Sequence, residues 1–253
     1  MSNPLQVWYC IPTARVPVAL QILREWKGQG YRNALLLDTK SSDAAAVAVA
    51  KAAYNVDAVL VVEQYIGWAD SVNRLAALAL ERGADMVVTG GDDVWPEMRY
   101  PAHVLAQQFA DHFPNLFGVM QPSGDGSECY DRCAMTPWVG RGFIEKTYGG
   151  KGPFWPEYFH FWPDTELFNV AHMLGCYWNR PDLIQFHDHW RRQGCNAVRP
   201  QHLMAASARN GADHEIFTKR RGRGWPGARP ESTAHLPPRE KRRLLEYQRR
   251  HAV

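Results

Sequence analysis

Two adjacent carboxylates, Asp92 and Asp93, follow the apolar run Val87-Val88-Thr89 across two glycines. Aspartates are the hard oxygen donors that Mg²⁺ and Mn²⁺ require. A divalent ion held there can bridge a diphosphate and neutralise a leaving nucleotide. The glycine loops that would cradle phosphates without such an ion are absent: the first apolar run does not lead into Gly-x-Gly-x-x-Gly, and no Gly-x-x-x-x-Gly-Lys-Ser/Thr occurs. Cys129 and Cys133 have the look of half a zinc site, but no second Cys/His pair follows at finger spacing, and reduced structural thiols are the other reading.

The elements that must position these carboxylates are read from periodicity. Leu5 to Ile11 predicts a buried strand, broken by the loop Pro12-Thr13-Ala14-Arg15. Ala19, Ile22, Leu23 and Trp26 then form a helical face, with Gly28 and Gly30 as stop signals. Ala34 to Leu37 is a second strand closed by Asp38, and Ser42 is the expected N-cap of an Ala-rich helix ending near Tyr54. Ala58 to Val62 is a third strand, Val72, Leu75, Ala76 and Ala79 mark a helix face ended by Gly83, and Met86 to Thr89 is a fourth strand. This alternation predicts a mostly parallel α/β sheet covered on both faces. Asp92 and Asp93 then sit at the carboxyl end of a buried parallel strand, where open α/β sheets place their ligands. After residue 95 the sequence turns aromatic and rich in Gly and Pro, with helical periodicity returning only around Glu166 to Leu174 and near Arg191.

Together, Val7-Trp8-Tyr9-Cys10-Ile11-Pro12-Thr13, Asp38, Ala69 and Asn73, and Gly91-Asp92-Asp93-Val94 resemble the family 2 glycosyltransferases of GT-A fold. The resemblance covers roughly residues 5 to 190. It implies a single GT-A domain with a Rossmann-like nucleotide-binding sheet, and an enzyme of hexosyltransferase type that uses a nucleotide-sugar donor. It implies donor binding by the first loop (Pro12, Thr13, Arg15), by Asp38, by Asn73 and by Asp92. It further implies Mn²⁺ or Mg²⁺ held by Asp93, since Gly91 stands at the first position of the family's metal element. Phe161-Trp162-Pro163-Asp164-Thr165-Glu166-Leu167 is similar to the element that supplies the base in inverting members, with Asp164 at the usual position and Glu166 the alternative. The same residues also fit ordinary helix capping and dipole chemistry. Gln185-Phe186-His187-Asp188-His189-Trp190 is similar to the segment presenting a histidine to the metal, with His187 or His189 as the ligand. Gly140-Arg141-Gly142-Phe143 and Tyr148 to Trp155 read as mobile loops, and Trp155 or Trp162 either as a surface for a sugar or base or as buried core.

At 253 residues the chain has room for one α/β domain. The expected division is a domain over 1–218, with a nucleotide-sugar half (1–95) and an acceptor half (96–218), followed by a basic arm over 219–253. No internal repeat is visible. The arm carries eleven Lys/Arg against three Glu, a charge of +8, while the remaining 18 basic and 23 acidic residues leave −5. Arg220 to Pro238 reads as a flexible linker and Pro238 to Ala252 as a basic helix. Such an arm can recruit nucleic acid without reading sequence, or an anionic membrane surface, or remain solvated. With only Leu244, Leu245 and Tyr247 as apolar residues it makes a poor membrane face, so nucleic acid is the expected partner. The design is similar to viral glycosyltransferases that sugar hydroxymethylated DNA bases. A lipid or saccharide acceptor and a sugar-nucleotide nucleotidyltransferase are the alternatives; the latter would need a glycine-rich phosphate loop after the first strand. No secretory leader pattern and no apolar stretch of ~20 residues is present, which gives a cytoplasmic expectation, in the host cell if the source is a virus.

Overall fold

The four strands expected in the first half form in a computed structural model that describes residues 4–192, 204, 206–229 and 242. They are β1 (Val7–Pro12), β2 (Arg32–Asp38), β3 (Ala58–Val62) and β4 (Met86–Thr89). β1 lies between β2 and β4, and β3 flanks β2, all parallel. Between them run α1 (Val16–Gly28), α2 (Ala44–Ala52) and α3 (Trp68–Glu81). The predicted face of α1, Ala19, Ile22, Leu23 and Trp26, is buried, as is that of α3. The cap of α2 is Asp43 rather than Ser42: the Asp43 side chain accepts from the Ala46 N–H at 2.7 Å, whereas the Ser42 hydroxyl is buried without a partner. A carboxylate one residue nearer the helix reaches the unpaired first-turn donors that the serine cannot.

The second half is more regular than its composition suggests. It adds α4 (Ala102–His112), β5 (Val119–Pro122), β6 (Trp138–Gly140), α5 (Arg141–Lys146), α6 (Pro163–Met173), β7 (Tyr177–Arg180) and α7 (Asn210–Gly222). One seven-stranded sheet results, in the order β3-β2-β1-β4-β6-β5-β7. β6 is antiparallel to both β4 and β5, and β5 pairs parallel with β7. The fold is therefore the expected mostly parallel GT-A type α/β domain.

Two expectations are corrected. Gly140 to Phe143 is the end of β6 and the buried start of α5, not a loop. The reading of Arg220 onward as a linker fails at its start, because Lys219 to Gly222 complete α7 and Phe217, Arg220, Trp225 and Ala228 are buried. Residues 230–241 and 243–253, the rest of the expected arm, lie outside the described residues. Near Arg191 only a short 3-10 turn forms, Trp190–Arg192.

Candidate active site

The carboxyl ends of β1, β2 and β4 deliver Pro12, Asp38 and the Gly90–Asp93 turn to one edge of the sheet. Three aromatic side chains pin that turn by its backbone. The Tyr9 hydroxyl donates to the Gly91 carbonyl at 2.5 Å, the Trp68 Nε1–H to the Gly90 carbonyl at 3.2 Å, and the Trp26 Nε1–H to the Val94 carbonyl at 2.8 Å. Tyr9 and Trp26 are themselves stacked at 3.8 Å. Sequence reasoning placed Tyr9 in a buried strand and Trp26 on a helical face and did not single out Trp68; that their polar ends converge on one turn shows only when the chain is folded. Gly91 also has a reason: a Cβ there would stand 2.6 Å from Asp93 Oδ1, so a larger residue would displace that carboxylate.

Asp92 and Asp93 face different partners. Asp92 is buried and accepts from the Thr13 hydroxyl at 2.5 Å and from Arg15, whose Nε lies at 3.1 Å and whose second guanidinium nitrogen contacts the other carboxylate oxygen. The Thr13 hydroxyl in turn accepts from the Arg15 N–H at 2.8 Å, and the Thr13 N–H donates to the Leu36 carbonyl at 3.0 Å. Thr13, Arg15 and Asp92 thus form one network that shapes the first loop, with the Arg15 side chain still 39% exposed. Asp38 is buried at the end of β2 and accepts from the Ser41 N–H at 2.9 Å.

Asp93 instead meets His187. The segment 186–188 runs antiparallel beside 93–95: Val94 bridges His187, the Trp95 N–H donates to the Phe186 carbonyl at 2.8 Å, and the Asp188 N–H to the Asp93 carbonyl at 2.8 Å. This pairing sets His187 Nε2 3.5 Å from Asp93 Oδ2. Burial pushes the Asp93 carboxyl up, but the His187 hydrogen bond and the charges of His187, His189 and Arg15 outweigh it and hold the carboxyl below its ordinary range. The pair fits a divalent ion: two donors each ~2.1 Å from one ion stand ~3 Å apart at a right angle and farther at wider angles. Among the described residues no group of three or more His, Cys, Asp or Glu side chains gathers around a common point. An ion held by Asp93 and His187 would therefore draw its other ligands from phosphate oxygens and water. The His189 ring lies 5.3 Å from that of His187.

Asp125, which the sequence did not single out, positions His187. Its side chain is fully buried, and its carboxylate accepts from the His187 N–H at 3.1 Å, the Ser127 N–H at 3.1 Å and the Arg192 guanidinium at 2.6 Å. Burial alone would raise this carboxyl; the donated hydrogen bonds keep it below the ordinary range. Glu97 performs a similar service one layer out, accepting from Arg99 and from the Ile184 N–H at 2.6 Å. A signal existed for Asp125, a lone acid inside Ser-Gly-Asp-Gly-Ser, but turn chemistry explains that pattern equally well.

Asp164 lies in the first turn of α6, its Oδ1 accepting from its neighbour's N–H (Thr165) at 2.8 Å. Burial raises its carboxyl above the ordinary range, opposed by the Thr165 hydrogen bonds and by the charge of His187, which is close enough to act on it. Glu166 has a different place. It accepts from the Tyr158 hydroxyl at 2.7 Å and from Arg220 at 2.7, 2.8 and 3.1 Å, with side-chain exposures of 1% for Glu166 and 7% for Arg220. Both of its oxygens are consumed inside the protein.

Asn73 is buried, 3% exposed. Its amide donates to the Phe154 carbonyl at 2.9 Å and accepts from the Phe154 N–H at 3.1 Å, and a Cβ on Gly152 would approach its oxygen to 2.3 Å. The structure gives it the anchoring of residues 152–154. Trp155 lies under the Arg220 guanidinium at 3.6 Å, and Trp162 packs on Phe217 and His214, so both expected stacking surfaces have protein partners. Cys129 and Cys133 are free thiols joined by a Cys133 Sγ contact to the Cys129 carbonyl.

No protein-family model matches this chain, and no curated protein does. Among solved structures it superposes on S. aureus TarS residues 1–349 in complex with UDP, at a TM-score of 0.54 and 12% identity, over 98% of this chain and 72% of that one. It also superposes on a longer S. aureus TarS structure at a TM-score of 0.51 and 12% identity, over 96% and 48% of the two chains. At this identity the likeness is one of fold. No helix among the described residues is long and apolar enough to cross a membrane.

Proposed function

We propose that this chain is a metal-dependent glycosyltransferase that moves a sugar from a uridine nucleotide-sugar to a hydroxyl acceptor, with inversion. The observation that carries the reading is the pairing of Asp93 with His187 beside the turn after β4, with the half-buried carboxyl of Asp164 within electrostatic reach. The presence of UDP in the superposed TarS structure supports a uridine nucleotide. Asp93 and His187 would hold Mn²⁺ or Mg²⁺, which when bound neutralises the departing diphosphate. Asp38 and the Pro12–Arg15 loop hold the nucleoside, with Asp92 fixing Thr13 and Arg15 in place. Asp164 accepts the proton of the acceptor hydroxyl as its oxygen attacks the anomeric carbon.

For the acceptor we favour a polyanion, namely DNA carrying hydroxymethylated bases. Arg209, Lys219, Arg221 and Arg223 are exposed on and beside α7, the helix that also holds the Asp164 element. Reaching a base in a duplex would require flipping it or using single strands. The test is to incubate the purified chain with a panel of UDP-sugars, with Mn²⁺ or with excess chelator, and to measure released UDP and labelled acceptor. Metal-dependent release supports transfer. Full activity in excess chelator removes the metal assignment, and labelling of lipid or free saccharide in place of DNA removes the acceptor assignment.

A further inference from the structure

We infer that Asp213 on α7 is a positioning residue that ties the nucleotide side of the site to Asp164, an inference that rests on the transferase reading above. Asp213 is 1% exposed and carries no solvent-facing role. Its Oδ1 accepts from the Phe159 N–H at 2.9 Å, and its Oδ2 accepts from the His160 and Phe161 N–H groups, each at 2.9 Å. Three consecutive peptide planes are thereby fixed by one charged acceptor, in a stretch with no helix or strand ladder to hold it.

Two lines of contact leave this tripeptide. One runs to the nucleotide side: the Phe159 carbonyl accepts from the Trp68 N–H at 2.6 Å, and the Trp68 indole holds the Gly90 carbonyl at the head of the Asp92-Asp93 turn. On the same side the Tyr65 ring packs against Phe159 at 5.5 Å, with its hydroxyl 3.5 Å from His160 Nδ1. The other line runs directly into Trp162, Pro163 and Asp164. Trp162 has φ 76°, a left-handed conformation that a bulky residue keeps only where its surroundings over-determine it. Those surroundings are again α7: the Trp162 Nε1–H donates to Asn210 Oδ1 at 3.0 Å and its ring lies 4.9 Å from that of Phe217. α7 therefore sets both the loop and the bend from which the base emerges, and a shift of ~1 Å in a reacting group is enough to cost ~10²-fold in rate.

The test uses the full chain with two substitutions. Asp213→Asn keeps the side-chain size but offers one acceptor oxygen and turns an amide donor toward the loop's N–H groups. Asn210→Ala alters an exposed position and removes only the Trp162 hydrogen bond. We expect amide hydrogen exchange at 159–161 to quicken by ~10²-fold or more in Asp213→Asn, and kcat to fall ~10–100-fold while KM for the UDP-sugar changes less than ~3-fold. Asn210→Ala should lower kcat ~3-fold or more with its melting temperature unchanged, and it decides the matter if Asp213→Asn does not fold. Wild-type kcat in both variants, or in Asn210→Ala where that variant alone folds, overturns the positioning role while the transferase reading stands; so does unchanged exchange at 159–161 in a folded Asp213→Asn. A wild-type chain that releases UDP from no donor overturns the transferase reading and takes this inference with it.

Discussion

Replacing Arg220 by Met should unfold this protein far more readily than any loss of surface charge would. The guanidinium makes three contacts of 2.7 to 3.1 Å to Glu166, donates to the Pro226 carbonyl at 3.0 Å and lies 3.6 Å over the Trp155 ring. As a pair, Arg220 and Glu166 contribute little net stability, because desolvating both charges offsets most of their attraction. Removing one partner is different: it strands a carboxylate that is 1% exposed with only the Tyr158 hydroxyl for company, at a cost of ~3–5 kcal/mol. Loss of the cation–π contact adds ~1 kcal/mol. Against a total stability of ~5–15 kcal/mol this is about a quarter or more, and at ~2–4 °C per kcal/mol the melting temperature should fall by ~10–20 °C. Urea unfolding followed by tryptophan fluorescence measures it, and Glu166→Leu combined with Arg220→Met should recover most of the loss. A single Arg220→Met variant within ~1 kcal/mol of wild type, or a double variant no better than the single, would refute the buried-pair argument.

Asp164→Asn should lower turnover ~10²-fold or more with donor binding nearly intact, as general-base losses do. Because burial raises the Asp164 carboxyl, wild-type activity should climb with pH through that raised value, a limb that pH–rate profiles will show missing from the Asn variant. The stability sign follows from the same shift: a raised folded pKa contributes stability present below the unfolded value of ~3.9 and lost as pH rises through the folded one. Asp164→Asn should accordingly gain stability relative to wild type between pH ~4 and neutrality, measured by thermal melts across pH. Asp93→Asn should remain folded and lose metal-dependent UDP release, which Mn²⁺ titration by calorimetry checks independently of turnover. Truncation after residue 229 should leave UDP release intact and flatten the salt dependence of transfer to DNA, whereas truncation after residue 218 should abolish UDP release, since it removes Arg220 and the end of α7. Equal activity in the two truncations would show that α7 closes without its last turn.

The first half was legible because its elements are written in two clean periods. Four short apolar runs alternate with helices whose buried positions recur every three or four residues, and the sheet pairs them parallel, as expected. The second half hid α4, although Ala102, Leu105, Ala106 and Phe109 keep helical spacing, because Pro101 and Pro114 bracket it tightly and the neighbouring aromatics blur the contrast between faces. β5 and β6 span four and three residues, too short for a period to register. α7 was obscured for a physical reason: its terminal Lys219-Arg220-Arg221 reads as solvated charge, and nothing local reveals that the middle arginine meets a glutamate 54 residues earlier. Burial of Arg220 takes one positive charge out of the expected arm and assigns it to the scaffold. The same long-range logic separates Asp164 from Glu166. On a helix wheel both begin α6, and only the partner that α7 brings to Glu166 sets the two acids apart.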